Sequence, residues 1–151
     1  MTKRTLLRAG GAAAVLAGVL AVTTTPVGEG DRSRQRAIAI VRAIQTAQSA
    51  YRDITGHYDT LECLAGRECE SGARRILLAP VLARLEDRHG YRFQFHPSPG
   101  IETFAVTAVP LGAADTVRPS FCGDDTGALH VIGDGSTPRI EAGRCAQSSG
   151  R

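Results

Sequence analysis

The sequence predicts an α+β domain: one long N-terminal helix packed on a three- to four-stranded antiparallel sheet. Three observations carry that expectation. Apolar residues recur at steps of three and four between residues 34 and 55. Several later stretches alternate with the period of a strand. Turns rich in Gly, Pro and Asp separate those stretches. A chain of 151 residues is long enough for one domain with its own core, and the mixed composition is neither that of a disordered chain nor that of a fibre.

The N-terminus reads differently from the rest. Lys3, Arg4 and Arg8 stand ahead of the apolar run Ala9 to Val22, and no acid occurs before Glu29. A basic n-region followed by an apolar h-region is the pattern of a secretory signal. The run is 14 residues long and ends in three threonines and Pro26, short of the about 20 residues that a spanning helix needs. Residues 1–21 are therefore expected to be a signal peptide cut after Ala21, or else a weak membrane anchor. Residues 22–33 follow as a linker, and 34–151 as a single domain. The 18 basic and 15 acidic residues give a formal charge of +3; without Lys3, Arg4 and Arg8 they balance at 15 each. A nucleic-acid partner has no compositional support, and a membrane is a partner only if the N-terminal segment stays attached.

The first element of the domain is the helix, from about residue 34 to 55, with Asp31 or Ser33 as its cap. Ala37, Ile40, Ile44, Ala47, Tyr51 and Ile54 form its apolar stripe, and Val41 widens it. Arg36, Gln45, Arg52 and Asp53 take the opposite, solvent side, and Gly56 ends the helix. The stripe is read as core, because a lone helix of this length is marginal in water. Next comes a cysteine-bearing loop, then a short helix from about Pro80 to Arg88 with Pro in the first turn.

Strands follow. "GYRFQFH" puts Tyr91, Phe93 and Phe95 on one side and Arg92, Gln94 and His96 on the other, with His96 expected to face solvent. After the turn "PSPG", "IETFAVTAVP" places Phe104, Val106 and Ala108 on one face, and Pro110 closes that strand. "SFCGD" and "ALHVIG" flank "DDTG" as a second hairpin. From Gly133 onward the chain is expected to be irregular and fastened by Cys145.

Cys63, Cys69, Cys122 and Cys145 make an even count in a chain expected to leave the cytoplasm. Three pairings are open, and proximity favours Cys63–Cys69 and Cys122–Cys145. Such loops contribute roughly 2 and roughly 3 kcal/mol in the chain-entropy model. The spacings do not suit zinc, which favours two to four residues between paired cysteines.

Taken in order, "AQSAYRDITGHY", "GYRFQF", "FAVTAVP" and "SFCGDDTGALHV" resemble the globular part of the type IV pilin and type II secretion pseudopilin family, over about residues 35 to 132. The family's leader is missing: Gly10 and Gly11 are followed by neither the Phe nor the Glu of a prepilin, and Pro26 and Gly28 interrupt any single helix from Ala9 to Ile54. The resemblance implies a C-terminal loop closed by a disulfide, onto which Cys122 and Cys145 map. It also implies that calcium is the ion to consider, with Asp115, Asp124, Asp125 and Asp134 as candidate oxygen donors. Yet "GDDTG" lacks the spacing of a calcium loop, and aspartates in turns are ordinary turn formers.

Nothing in the pattern assigns catalysis. His57, His89, His96 and His130 have no ligand spacing, and Ser120 and Ser136 lack a nucleophile-elbow setting. No catalytic residue, cofactor or metal ligand is expected. The expected function is that of an exported, non-enzymatic, pilin-like protein acting through protein–protein contacts. It would be periplasmic or secreted, or anchored in the inner membrane. The alternatives are an atypical minor pilin or pseudopilin, with pilus or secretion-system components as partners, and a small secreted ligand-binding protein or hydrolase.

Overall fold

The computed structural model describes residues 28–67, 69, 77–112 and 118–146. The signal segment 1–21, its cut site at Ala21, the first part of the linker and Asp115 lie outside the described residues.

Helix α1 runs Glu29–Thr55, 27 residues, or about 40 Å. It starts five residues before the expected point, so residues 29–33 are helix and not linker. Neither Asp31 nor Ser33 is the cap; that place is Gly28, which makes no side-chain cap bond. Its carbonyl accepts from the N–H groups of Asp31 and Arg32, and Glu29 and Asp31 bring negative charge to the positive end of the helix. These first turns are polar and exposed. They are helical because each residue added to a nucleated helix gains a hydrogen bond, and that leaves no apolar period to read. Gly56 ends α1 in the left-handed region, at φ 84°.

Two short helices follow, α2 at Leu61–Leu64 and α3 at Pro80–Ala83. The Thr60 side chain caps α2 by accepting from the Cys63 N–H. α3 stops at Ala83 instead of Arg88. Arg88 is committed elsewhere: it exchanges both backbone hydrogen bonds with Tyr91 across His89 and Gly90. Both of those residues have positive φ, 52° and 76°, the geometry of a tight hairpin turn.

The sheet is a meander of β1 (Tyr91–Pro97), β2 (Phe104–Pro110), β3 (Ser120–Asp124) and β4 (Leu129–Ile132), antiparallel throughout and ordered β1-β2-β3-β4. Phe93 pairs with Ala108, Phe95 with Val106, Ala108 with Phe121 and Val106 with Gly123. Because side chains alternate, these residues share one face. α1 lies across that face over β2 and β3. Its Ala37, Ile40, Val41, Ile44, Ala47 and Tyr51 join Tyr91, Phe93, Phe104, Val106 and Phe121 in one core, each large aliphatic contributing roughly 1.5–3 kcal/mol.

Two positions on α1 depart from expectation. Ile54 is 49% exposed. The chain returning past Gly56 covers Gln48 and Tyr51 and bonds Arg52, through Tyr58 and Asp59, and Ile54 lies on the other side of Tyr51 around the helix. Gln45, expected in solvent, is 5% exposed. Its Nε2 donates to the carbonyls of Asp124 (3.0 Å) and Ala128 (2.8 Å), so it ties the helix to the β3–β4 turn. The close approach depends on Gly123. A Cβ there would stand 2.6 Å from Val41 Cγ1 and 2.8 Å from Gln45 Cδ.

The C-terminal segment is more ordered than expected. It forms a small hairpin, β5 (Ile140–Glu141) with β6 (Arg144–Cys145). β6 lies against β3 and β2, where Cys145 packs with Ala105 and Cys122 as a second, smaller cluster.

Candidate functional site

Two places gather groups that could recognise something else: the open edge of β1 and the back of β3.

Leu111 N–H donates to Gly90 O, and Ser98 N–H to Thr103 O, at the two ends of the β1–β2 pair, while Tyr91 bonds outward to Arg88. Antiparallel ladders alternate, so Arg92, Gln94 and His96 face β2. Phe93 and Phe95 turn their N–H and C=O groups to the outer edge, with which no described strand pairs. Beside that edge is a groove of about 460 Å³, whose apolar lining is Leu61, Ala83, Leu85, Phe93, Phe95 and Pro97. Thr60, Glu62, Gln94 and His96 add polar rims. His96 does not point into open solvent; it is half-buried, its Nε2 is 3.0 Å from Thr107 Oγ1, and burial lowers its pKa from the ordinary 6.5. At the far end of β1, burial raises the pKa of Tyr91, against the pull of Arg118 and Arg34. Its hydroxyl donates to the Pro119 carbonyl at 3.2 Å.

At the back of the sheet, Cys122 is bonded to Cys145, with S–S 2.06 Å. Cys63 is bonded to Cys69, and Cys63 lies within the main core. Asp124, 3% exposed, accepts from the Thr126 N–H and hydroxyl through Oδ1, and from the Cys145 N–H at 3.1 Å through Oδ2. Its neighbour Asp125 makes a two-pronged pair with Arg144, at 2.7 and 2.8 Å, and that carboxylate raises the Arg144 pKa. Asp134 accepts from the Ser136 N–H and hydroxyl, which lowers its pKa. The described carboxylates considered for calcium are thus engaged in turns, an ion pair and a hairpin clamp. A ligand atom each from Asp124, His130 and Cys145 lies within 4.8 Å of the others. In the oxidised chain, however, the Cys145 sulfur is bonded to Cys122 and has no thiolate charge to give.

The remaining sequence candidates are not brought together. His57 sets its ring edge-on to Tyr51, with centroids 5.7 Å apart, and His89 Nδ1 lies 3.4 Å from Arg36 Nη1. Ser120 Oγ is buried without a hydrogen-bond partner among the described residues, so no base touches it there. Sequence reasoning missed the buried polar seam of Gln48, Tyr51 and Asp59. Gln48 Nε2 donates to Asp59 O at 2.6 Å, and the Tyr51 hydroxyl to Asp59 Oδ2 at 3.0 Å. The signal lay in the spacing of those residues around the Gly56 turn, which allows a helix end to bond the chain that folds back on it. Among the described residues no helix is long and apolar enough to cross a membrane. No family model, curated protein or solved structure matches the chain.

Proposed function

We propose that this chain is an exported, pilin-like domain that works by binding another protein and not by catalysis. The observation that carries the reading is the open β1 edge beside its apolar groove. An extended segment of a partner would gain main-chain hydrogen bonds from Phe93 and Phe95 and seat side chains between Leu61, Ala83 and Leu85. Beyond the Arg88–Tyr91 bridge, no described strand pairs with this edge of β1, and an unpaired strand edge is otherwise a liability. The helix-on-sheet order supports kinship with pilin heads, and the two disulfides are compatible with an extracytoplasmic setting. The polar groups buried between α1 and its cover support a structural role for them, because each bonds the backbone or side chain it packs on.

The test has two parts. Mass spectrometry of the chain from its native cell is expected to find Val22 or a neighbour at the mature N-terminus. A photo-crosslinking residue at Gln94 is expected to give one discrete protein adduct, absent from Asp53 on the exposed side of α1 and lost with Leu85→Asp. Adducts that do not differ between Gln94 and Asp53, or none from either, would overturn the binding reading. A chain retained in the cytoplasm with Met1 or Thr2 first would overturn export.

A further inference from the structure

We propose that reduction of the Cys122–Cys145 disulfide creates a zinc site whose four ligands are Cys122, Cys145, His130 and Asp124. Cys122 and Asp124 stand two apart on β3 and so share the back face. His130 is directly across from Cys122 on β4. Cys145 sits over them on β6, and its N–H already holds Asp124 Oδ2 at 3.1 Å. One ligand atom from each of Asp124, His130 and Cys145 falls within a 4.8 Å circle of the others, and the fourth donor, Cys122 Sγ, is one bond away from Cys145 Sγ.

Four-coordinate zinc with bonds of about 2.0–2.3 Å places its donors about 3–4 Å from one another. The trio therefore needs to close by about 1 Å, and the two sulfurs to part, which side-chain rotation on fixed strands supplies. The set is two soft thiolates, one imidazole and one carboxylate, a combination that favours zinc over calcium or magnesium. Asp124 is held in place by Thr126 and Cys145 N–H, the kind of support that orients a ligating carboxylate.

The chemistry balances. A dithiol reductant of the thioredoxin class, or a phosphine in vitro, gives two electrons to the disulfide, and two protons complete the thiols. Binding Zn²⁺ then releases those two protons as the thiols become thiolates. Oxidation reverses the sequence: the S–S bond forms, two electrons leave to the oxidant and the metal is expelled. In a reducing compartment the C-terminal hairpin is thus fastened by metal, and after export by the covalent bond.

The experiment uses the full chain carrying Cys63→Ser and Cys69→Ser, so that the only thiols are Cys122 and Cys145. Reduced with a phosphine, it is expected to bind one cobalt(II) per chain with thiolate-to-metal charge-transfer absorption and the d–d bands of four-coordinate cobalt. Zinc is expected to displace the cobalt. His130→Ala and Asp124→Asn are each expected to lower zinc affinity by at least the ~10–100-fold that losing a supporting residue costs at such sites. The oxidised chain is expected to bind neither metal in this way. To separate metal loss from any weakening of the fold by the serines, His130→Ala is also made in the otherwise unaltered, phosphine-reduced chain, where the loss of one zinc equivalent is expected. Binding unchanged by His130→Ala, cobalt spectra without sulfur bands, or a reduced chain whose sheet circular dichroism is lost and not restored by zinc would each overturn the proposal.

Discussion

The two faces of the sheet are covered by different means. On the front, α1 brings Ile40, Val41, Ile44 and Tyr51 onto Tyr91, Phe93, Phe104 and Phe121. On the back, a segment rich in Gly, Ser and Pro adds Cys145 to a small apolar cluster with Ala105 and Cys122, with Ile132 and Ile140 half-covered beside them. Apolar burial scales with area, so the front holds itself by packing. The back has too little apolar surface for that, and a disulfide, the clamp of Asp124 on the Cys145 N–H and the Asp125–Arg144 pair take over. The contrast teaches what the Cys122–Cys145 bond is for: it fastens the sheet's thinner layer, whereas Cys63–Cys69 pins a loop onto the main core.

The most severe way to break the contrast is at the front. Tyr51 is 1% exposed and sits where α1, the sheet side of the core and the returning chain meet. Tyr51→Ala is expected to cost ~3–5 kcal/mol, as for other large buried aromatics, read as a lowered urea midpoint with global loss of amide protection. A cost below about 1 kcal/mol would mean that the seam is not packed as described.

On the back, replacing Cys122 and Cys145 together by Ala closes no bond around a sequence separation of 23. The expected loss is about 3 kcal/mol in the chain-entropy model. Its signature should differ from that of Tyr51→Ala. Hydrogen exchange is expected to rise first at Cys145 and Ala146, whose N–H groups bond Asp124 and Arg139, while α1 stays protected. Simultaneous loss of protection in α1 would erase the distinction between the faces.

A smaller front-face change sharpens the same comparison. Gly123→Ala inserts a methyl where Val41 Cγ1 would be 2.6 Å away. Overpacking of this kind costs typically ~1–3 kcal/mol, and the cost is expected to fall when Val41→Ala is added. An additive double mutant would mean that the methyl is accommodated without touching α1.

These residues also mark how far sequence could be read. The α1 stripe was legible because burial follows its spacing of three and four, and the faces of β1 and β2 were legible from alternation. The cysteine pairing expected from proximity is the one the chain adopts. Other features depend on how elements approach in space. Ile54 has the right spacing but lies on the uncovered side of Tyr51. Gln45 is polar yet buried, because two carbonyls of the β3–β4 turn come to it. The start of α1 carries no apolar period. The open edge of β1 requires the strand order, and the neighbourhood of Asp124, His130 and Cys145 requires the register of β3 with β4 and the return of β6. Single residue patterns do not encode those distances.

The smallest expected effect also lies on the back face and turns on pH. His96 is half-buried against Thr107, and burial sets its folded pKa below the 6.5 it has when exposed. The folded chain therefore binds fewer protons than the unfolded chain as pH falls through 6.5 toward the folded value. By linkage, stability is fully present above the unfolded pKa and declines through that window. Partial exposure makes the decline shallow. Denaturant midpoints measured at successive pH values are expected to fall below pH 6.5 in the unaltered chain. With His96→Gln, which can still reach Thr107 but does not titrate, that slope should flatten. If the slope survives the substitution unchanged, its source is another group, and the back face is no more pH-sensitive than the front.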